Sequence, residues 1–297
     1  MVKIIHCFFL FLVIILISCS DKPSLEELKK LSATEHYPGD TYLDTVRNRK
    51  ALVILAHDDD DCAMSGTISK LHRAGWQIEQ WTLGNNTLSE DRKTHPAGII
   101  CDGNHLILED GHFRNIDPGD TQPRYMPVPK HQFTSIFETD KVAKALIAKI
   151  NHYQPTVIFT LDNEIGAYGN PEHVFISQLV LDLFHENKIP AQRIYQGVYP
   201  NSMEKEIIEL RLTKLSKKWG YENTYLVAEK VYGVDGMPEP DVEVNIQEYG
   251  AEKMEYLRAY HEEARKNIRK FIPHYNDFDA ETYFGIFDRE FFRVIQK

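Results

Sequence analysis

This sequence predicts an α/β fold, a Rossmann-like and mostly parallel sheet with helices on both faces, and three observations lead there. The runs "ALVILA" (51–56) and "TVIFTLD" (156–162) are apolar without the alternation of a half-exposed strand, so both of their faces must be covered. Segments of helical period and length separate such runs. Gly75 and Pro155 punctuate the joints between helix and strand.

The elements follow in order. "ALVILA" is a strand, 61–74 a helix ended by Gly75, and "WQIEQWTL" (76–83) the next strand, which together make a βαβ unit. "NHLILED" (104–110), a helix over 141–152 and the strand "TVIFTLD" continue the alternation. Asn201 and Glu204 frame a capped helix that runs to Gly220. "TYLVAEKVYGV" (224–234), rich in β-branched and aromatic residues, and "VEVNIQ" (242–247) read as strands. The charged segment 251–270 reads as a solvated C-terminal helix.

The first residues stand apart. Lys3 is a positive n-region, 4–17 an apolar h-region, and Leu16-Ile17-Ser18-Cys19 a small-residue processing site. The apolar run falls short of the roughly 20 residues that a bilayer crossing needs. It resembles a bacterial lipoprotein signal peptide, which implies removal of 1–18, lipid on the Cys19 thiol, and a membrane-anchored protein of the bacterial cell envelope. Residues 19–48, charged and carrying Pro and Gly, read as a tether with at most a short helix, and 49–297 as the catalytic domain. After such processing Cys62 and Cys101 remain, able to pair or to stay as buried thiols.

The 297 residues, 42% hydrophobic, can bury a full core. A formal net charge of −10 without a dense Lys/Arg stripe excludes nucleic acid as the expected partner. Charge is concentrated most in "HDDDD" (57–61), directly after the first strand, where open parallel sheets place their ligands. One or two aspartates at a helix N-terminus cap backbone amides, but capping does not use four. Carboxylates this close repel, and a cation among them relieves the repulsion. His57 and Asp60, three apart across a tight turn, can offer a ring nitrogen and a carboxylate oxygen to one ion. A third ligand is His173, in the loop that leaves "TVIFTLD". A His₂Asp set with an open position is a hydrolytic zinc arrangement.

"AHDDDD", "LILEDGH" and "LDNEIGAYGNPEH" resemble the A-H-P-D-D-E, D-G and Y-G-H-P-D-H signatures of PIG-L/LmbE-type zinc-dependent N-deacetylases. A thinner likeness runs on to the closing "REFFRVIQ". The resemblance implies that His57, Asp60 and His173 hold Zn²⁺ or another divalent transition metal. It makes Asp59 the general base toward the water activated at the metal, and places Arg92, Asp110 and Tyr168 at the sugar. It also implies a hydrolase that removes acetyl from an N-acetylated amino sugar or glycan. The chain departs from the signatures at Asp58 for Pro, Asp61 for Glu, Glu172 for Asp, and Asn170 for the first histidine of H-P-D-H. That histidine, oriented by the neighbouring carboxylate, supports the oxyanion in the family. Asn170 offers an amide donor there but no charge. Hydrolysis of a different amide, or metal-containing carbohydrate binding without turnover, are the alternatives that this departure leaves open.

Overall fold

The computed structural model describes residues 22–84, 96–102, 104–107, 113–115 and 122–297. Seven strands form one sheet in the order β3-β2-β1-β4-β5-β7-β6. β1 (Lys50–Leu55), β2 (Gln77–Thr82), β3 (Asn104–Ile107), β4 (Val157–Leu161) and β5 (Arg193–Val198) are parallel. β7 (Arg289–Gln296) runs antiparallel to β5 and to the edge strand β6 (Val242–Asn245).

The two-faced burial expected of β1 is met residue by residue. Ala51, Val53 and Leu55 enter one core with Phe159, Met64 and Tyr256. Leu52, Ile54 and Ala56 enter the other with Ile158, Val174 and Leu146. Helices α1 (Leu25–Lys29), α2 (Ser65–Arg73), α6 (Gly250–Ala259) and α7 (Glu262–Phe271) send residues to the first core, and α3 (Thr139–Tyr153) and α4 (Pro171–His185) to the second. Helix α5 (Thr224–Tyr232) joins a third cluster with Ile165 and Val198.

Several expectations are corrected. The segment 224–234 is the helix α5, because Asn223 caps the Tyr225 amide and Gly233, at φ 69°, closes the other end. Those caps and the packing of Ala228 override the β-propensity of its Thr, Val and Tyr residues. The charged segment 251–270 is two helices, broken at Tyr260 and His261, and it buries Met254, Tyr256, Leu257, Tyr260, Ala264 and Ile268. Strand β5 had not been expected. At Asn201 no side-chain cap forms, since Glu204 accepts instead from the Met237 amide at 2.6 Å. Its helical run continues through a π-wound stretch, Glu204–Arg211, into Leu212–Trp219.

Residues 22–48, read as a tether, lie along the domain: Leu28 and Leu43 are buried, and Gly39 bridges Glu243. Cys62 and Cys101 are both buried and stay as thiols, that of Cys101 donating to the Ala97 carbonyl at 3.1 Å. Among the described residues no helix is long and apolar enough to cross a membrane.

At the amino end of α2, Glu290 from β7 accepts from Gly66 N at 2.9 Å and Thr67 N at 2.6 Å and pairs with Lys253 of α6. The helix start therefore has its carboxylate supplied by a strand remote in sequence. A Cβ on Gly66 would stand 2.7 Å from Ile246 Cδ1, so this close approach needs glycine.

Candidate metal centre

The sheet order reverses between β1 and β4, which are neighbours although about a hundred residues separate them. The loops leaving their carboxyl ends therefore meet over one crevice, the position where open α/β sheets bind ligands. His57, Asp59 and Asp60 come from the first loop, and Tyr168, Asn170, Glu172 and His173 from the second and the start of α4. All seven line one cavity of about 500 Å³.

Three ligand atoms converge. His57 Nδ1 lies 3.1 Å from His173 Nε2, and the two Asp60 oxygens lie 3.3 Å from one ring nitrogen each. The outward nitrogens are already occupied. His57 Nε2 meets Glu172 Oε2 at 2.7 Å, and His173 Nδ1 meets the Gly166 carbonyl at 3.1 Å. When those outer nitrogens donate their protons, the inner ones present lone pairs to a common point, the donor set of a metal-binding histidine pair. Asp60 is held as well, its Oδ2 accepting from the His57 amide at 2.8 Å. The residues present therefore fit a divalent cation.

The four aspartates divide their work. Asp61 turns away from the cavity and is held by the hydroxyls of Tyr256 on α6 and Tyr260 at its C-terminal cap. Tyr260 also donates to the Asp58 carbonyl at 2.7 Å, so α6 pins the loop from below. Asp60 belongs to the metal cluster, and Asp59 lines the cavity beside it. Burial opposes ionisation of Asp60, but the two imidazoles outweigh it and hold the carboxyl below its usual range. For His57, burial disfavours the charged form, while Asp60 and Glu172 prevail and hold its pKa well above the ordinary histidine value.

Glu172 departs from the role that the resemblance implied. It does not orient residue 170. It accepts from His57 on one oxygen and from Arg114 Nε at 2.7 Å on the other. Burial pushes its pKa up, but the His57 hydrogen bond and charge, with Arg114 and then Arg124, bring it to about 2. The result is a line from guanidinium to carboxylate to imidazole to metal site. Arg114 was missed by the sequence reading, and no local signal marks it. Glu172→Gln removes the charge from this line, so metal affinity should fall about 10- to 100-fold, measured by competition with a chromophoric chelator. Unchanged affinity would mean that Arg114 and Glu172 serve the fold alone.

Asn170 is the N-cap of α4, its Oδ1 accepting from Glu172 N at 2.9 Å, with Pro171 in the first turn. Its amide NH₂ is not used by that cap. Asp162 organises the loop before it, accepting from the amides of Glu164, Ile165 and Gly166 on Oδ1 and of Ala167 on Oδ2, at 2.7–3.1 Å. Four such bonds hold Ala167 at φ 64°, a conformation that a residue with a Cβ rarely adopts. Gly169, at φ 96°, lets the loop press against α5, where a Cβ would come within 2.7 Å of the Thr224 carbonyl. Thr224 in turn donates to the Tyr168 carbonyl at 2.7 Å. Tyr168 is thereby set edge-on to His173, ring centroids 5.0 Å apart. Burial first, then the charges of Asp60 and Asp59, raise its phenol well above the ordinary tyrosine value, so it stays a donor at neutral pH.

Arg92, Asp110 and Cys19 lie outside the described residues. Missed lining residues include Arg124, Tyr125, Tyr221 and Lys270. The last two come from the C-terminal half, which the sequence reading had not connected to the site.

Residues 52–184 match the family described as PIG-L: GlcNAc-PI de-N-acetylase. No curated protein matches the chain. Among solved structures, the N,N'-diacetylchitobiose deacetylase from Pyrococcus horikoshii is 16% identical, with 93% of this chain and 95% of that one covered at a TM-score of 0.45. The conserved protein TT1542 from Thermus thermophilus is also 16% identical, over 82% and 92%, at 0.44. GalB, the 4-carboxy-2-hydroxymuconate hydratase from Pseudomonas putida, is 12% identical, over 84% and 97%, at 0.46.

Proposed function

We propose, from the match of residues 52–184 to the family described as GlcNAc-PI de-N-acetylase and from the geometry of the site, that the chain is a zinc-dependent hydrolase removing acetyl from an N-acetylated amino sugar or glycan. The observation that carries the reading is the convergence of His57 Nδ1, Asp60 and His173 Nε2, with both outer ring nitrogens already engaged. His57, Asp60 and His173 would hold the ion. A divalent ion there supplies Lewis-acid polarisation of a carbonyl and a lowered pKa for water.

The chain's own groups do the rest. Asp59 lines the cavity next to a ligand without belonging to the cluster, which suits a carboxylate that accepts the proton of the attacking water. The Tyr168 hydroxyl and the Asn170 amide are neutral donors on the same wall, suited to an oxygen that gains negative charge. Glu172 holds His57 in place and stays ionised through His57 first and then Arg114. Arg92 and Asp110 are proposed sugar contacts on the strength of the motif alone.

The test is a panel of N-acetylated sugars given to the metal-loaded protein, with acetate and free amine measured. Release of both supports deacetylation. Another acid points to a different amide, and binding without any product points to a carbohydrate-binding protein. The feature that favours this last outcome is Asn170, an amide that brings no charge to the site.

The protein's place at the bacterial envelope is part of the proposal. The lipobox-like Leu16-Ile17-Ser18-Cys19 supports a lipid on Cys19. Cys19→Ser should move the protein out of the membrane fraction and abolish incorporation of labelled fatty acid, whereas an unmodified mature N-terminus would refute the anchor.

A further inference from the structure

Several aromatic residues line the cavity that holds the metal cluster. Tyr168 stacks on Phe271 with centroids 4.3 Å apart and planes 19° from parallel. Tyr221 and Tyr125 also line the cavity, the latter 42% exposed. Trp219, 53% exposed, lies with its ring 6.1 Å from that of Tyr221. Gly220, at φ 75°, ends the helical run between them and turns the chain so that the two rings meet. The Lys270 ammonium stands 5.8 Å from the Tyr221 centroid and bonds the Asn267 side chain at 3.0 Å.

A large indole left in water contributes little to the fold, and here it adjoins Tyr221, a residue that lines the cavity. Flat rings with polar groups at their border suit a pyranose, whose C–H faces pack on aromatic carbon while its equatorial hydroxyls reach the hydrogen-bonding groups around it.

Resting on the deacetylase reading, we propose that Trp219, Tyr221 and Tyr125 form a second sugar subsite, so that the substrate is an oligosaccharide or glycan in which at least one further pyranose adjoins the reacting acetamido sugar. The rival occupant is an anionic lipid surface, since Lys214, Lys217 and Lys218 share the segment with Trp219. The pairing of Trp219 with a cavity-lining ring favours the sugar.

Two measurements test it, on wild type and Trp219→Ala, a change at an exposed side chain. Calorimetry gives the Kd of N-acetylglucosamine and of its β-1,4-linked tetramer, and acetate release gives kcat/KM for both. The tetramer should bind more tightly than the monomer, and Trp219→Ala should reduce that preference about five- to tenfold, through KM in the turnover assay. Equal binding of monomer and tetramer by wild type overturns the proposal. So does a preference untouched by the substitution, including the case in which Trp219→Ala instead loses binding to phosphatidylglycerol vesicles. If no sugar is deacetylated but the tetramer preference exists and depends on Trp219, the deacetylase reading fails and the subsite stands.

Discussion

Asp59→Asn protein should retain its metal and lose about 10²–10⁴ of kcat, the range supplied by a positioned general base. Asparagine matches the shape of aspartate but accepts no proton at neutral pH. Asp59 lines the cavity while the converging ligand atoms belong to His57, Asp60 and His173, so the substitution should leave metal stoichiometry unchanged. The loss should lie mainly in kcat, because the carboxylate acts on the proton that moves in the transition state and not on the bound sugar. Metal analysis and steady-state kinetics on one preparation check both halves. A protein that loses its metal, or turns over as wild type does, refutes the assignment.

Removal of a ligand should do the opposite. His173→Ala and Asp60→Asn should each weaken metal binding by more than about 100-fold, beyond what the loss of a supporting partner costs. Asp60→Asn is the sharper of the two. An asparagine oxygen can still accept from the His57 amide, so the loop keeps its hydrogen bond while the anionic ligand is lost. His173 is almost fully buried at the start of α4, and its alanine variant also frees the Gly166 carbonyl. Circular dichroism therefore accompanies the metal titration, to separate lost affinity from lost fold. If Asp60→Asn keeps the metal and Asp59→Asn loses it, the two neighbouring aspartates have exchanged roles. Asp60 stands 3.3 Å from both imidazoles, which argues for the assignment as given.

The features legible in the sequence are those whose cause is local. β1 and β4 announce themselves because strands buried on both faces tolerate no polar alternation, and the loops after them follow from that. His57 and Asp60 are three apart on one turn, and His173 stands in the corresponding loop of another strand, so a metal set could be read before any contact was known. Local signals also conflicted. In 224–234 the β-branched and aromatic residues argued for a strand, while Asn223 and Gly233, which cap a helix, were the better evidence.

What only the tertiary structure decided depends on partners far apart in the chain. Asp61 meets Tyr256, Gly66 and Thr67 meet Glu290, and His57 meets Glu172 across separations of 195, 224, 223 and 115 residues. Spacing along the chain carries no record of such meetings. They arise because the sheet places β1 beside β4, lays α6 against the first loop and sets β7 at the start of α2, and each buried charge then takes the nearest partner able to offset its desolvation. For the same reason the substitution of Glu for Asp at 172 reads in sequence as a small change, yet in the fold it is the carboxylate that joins Arg114 to His57.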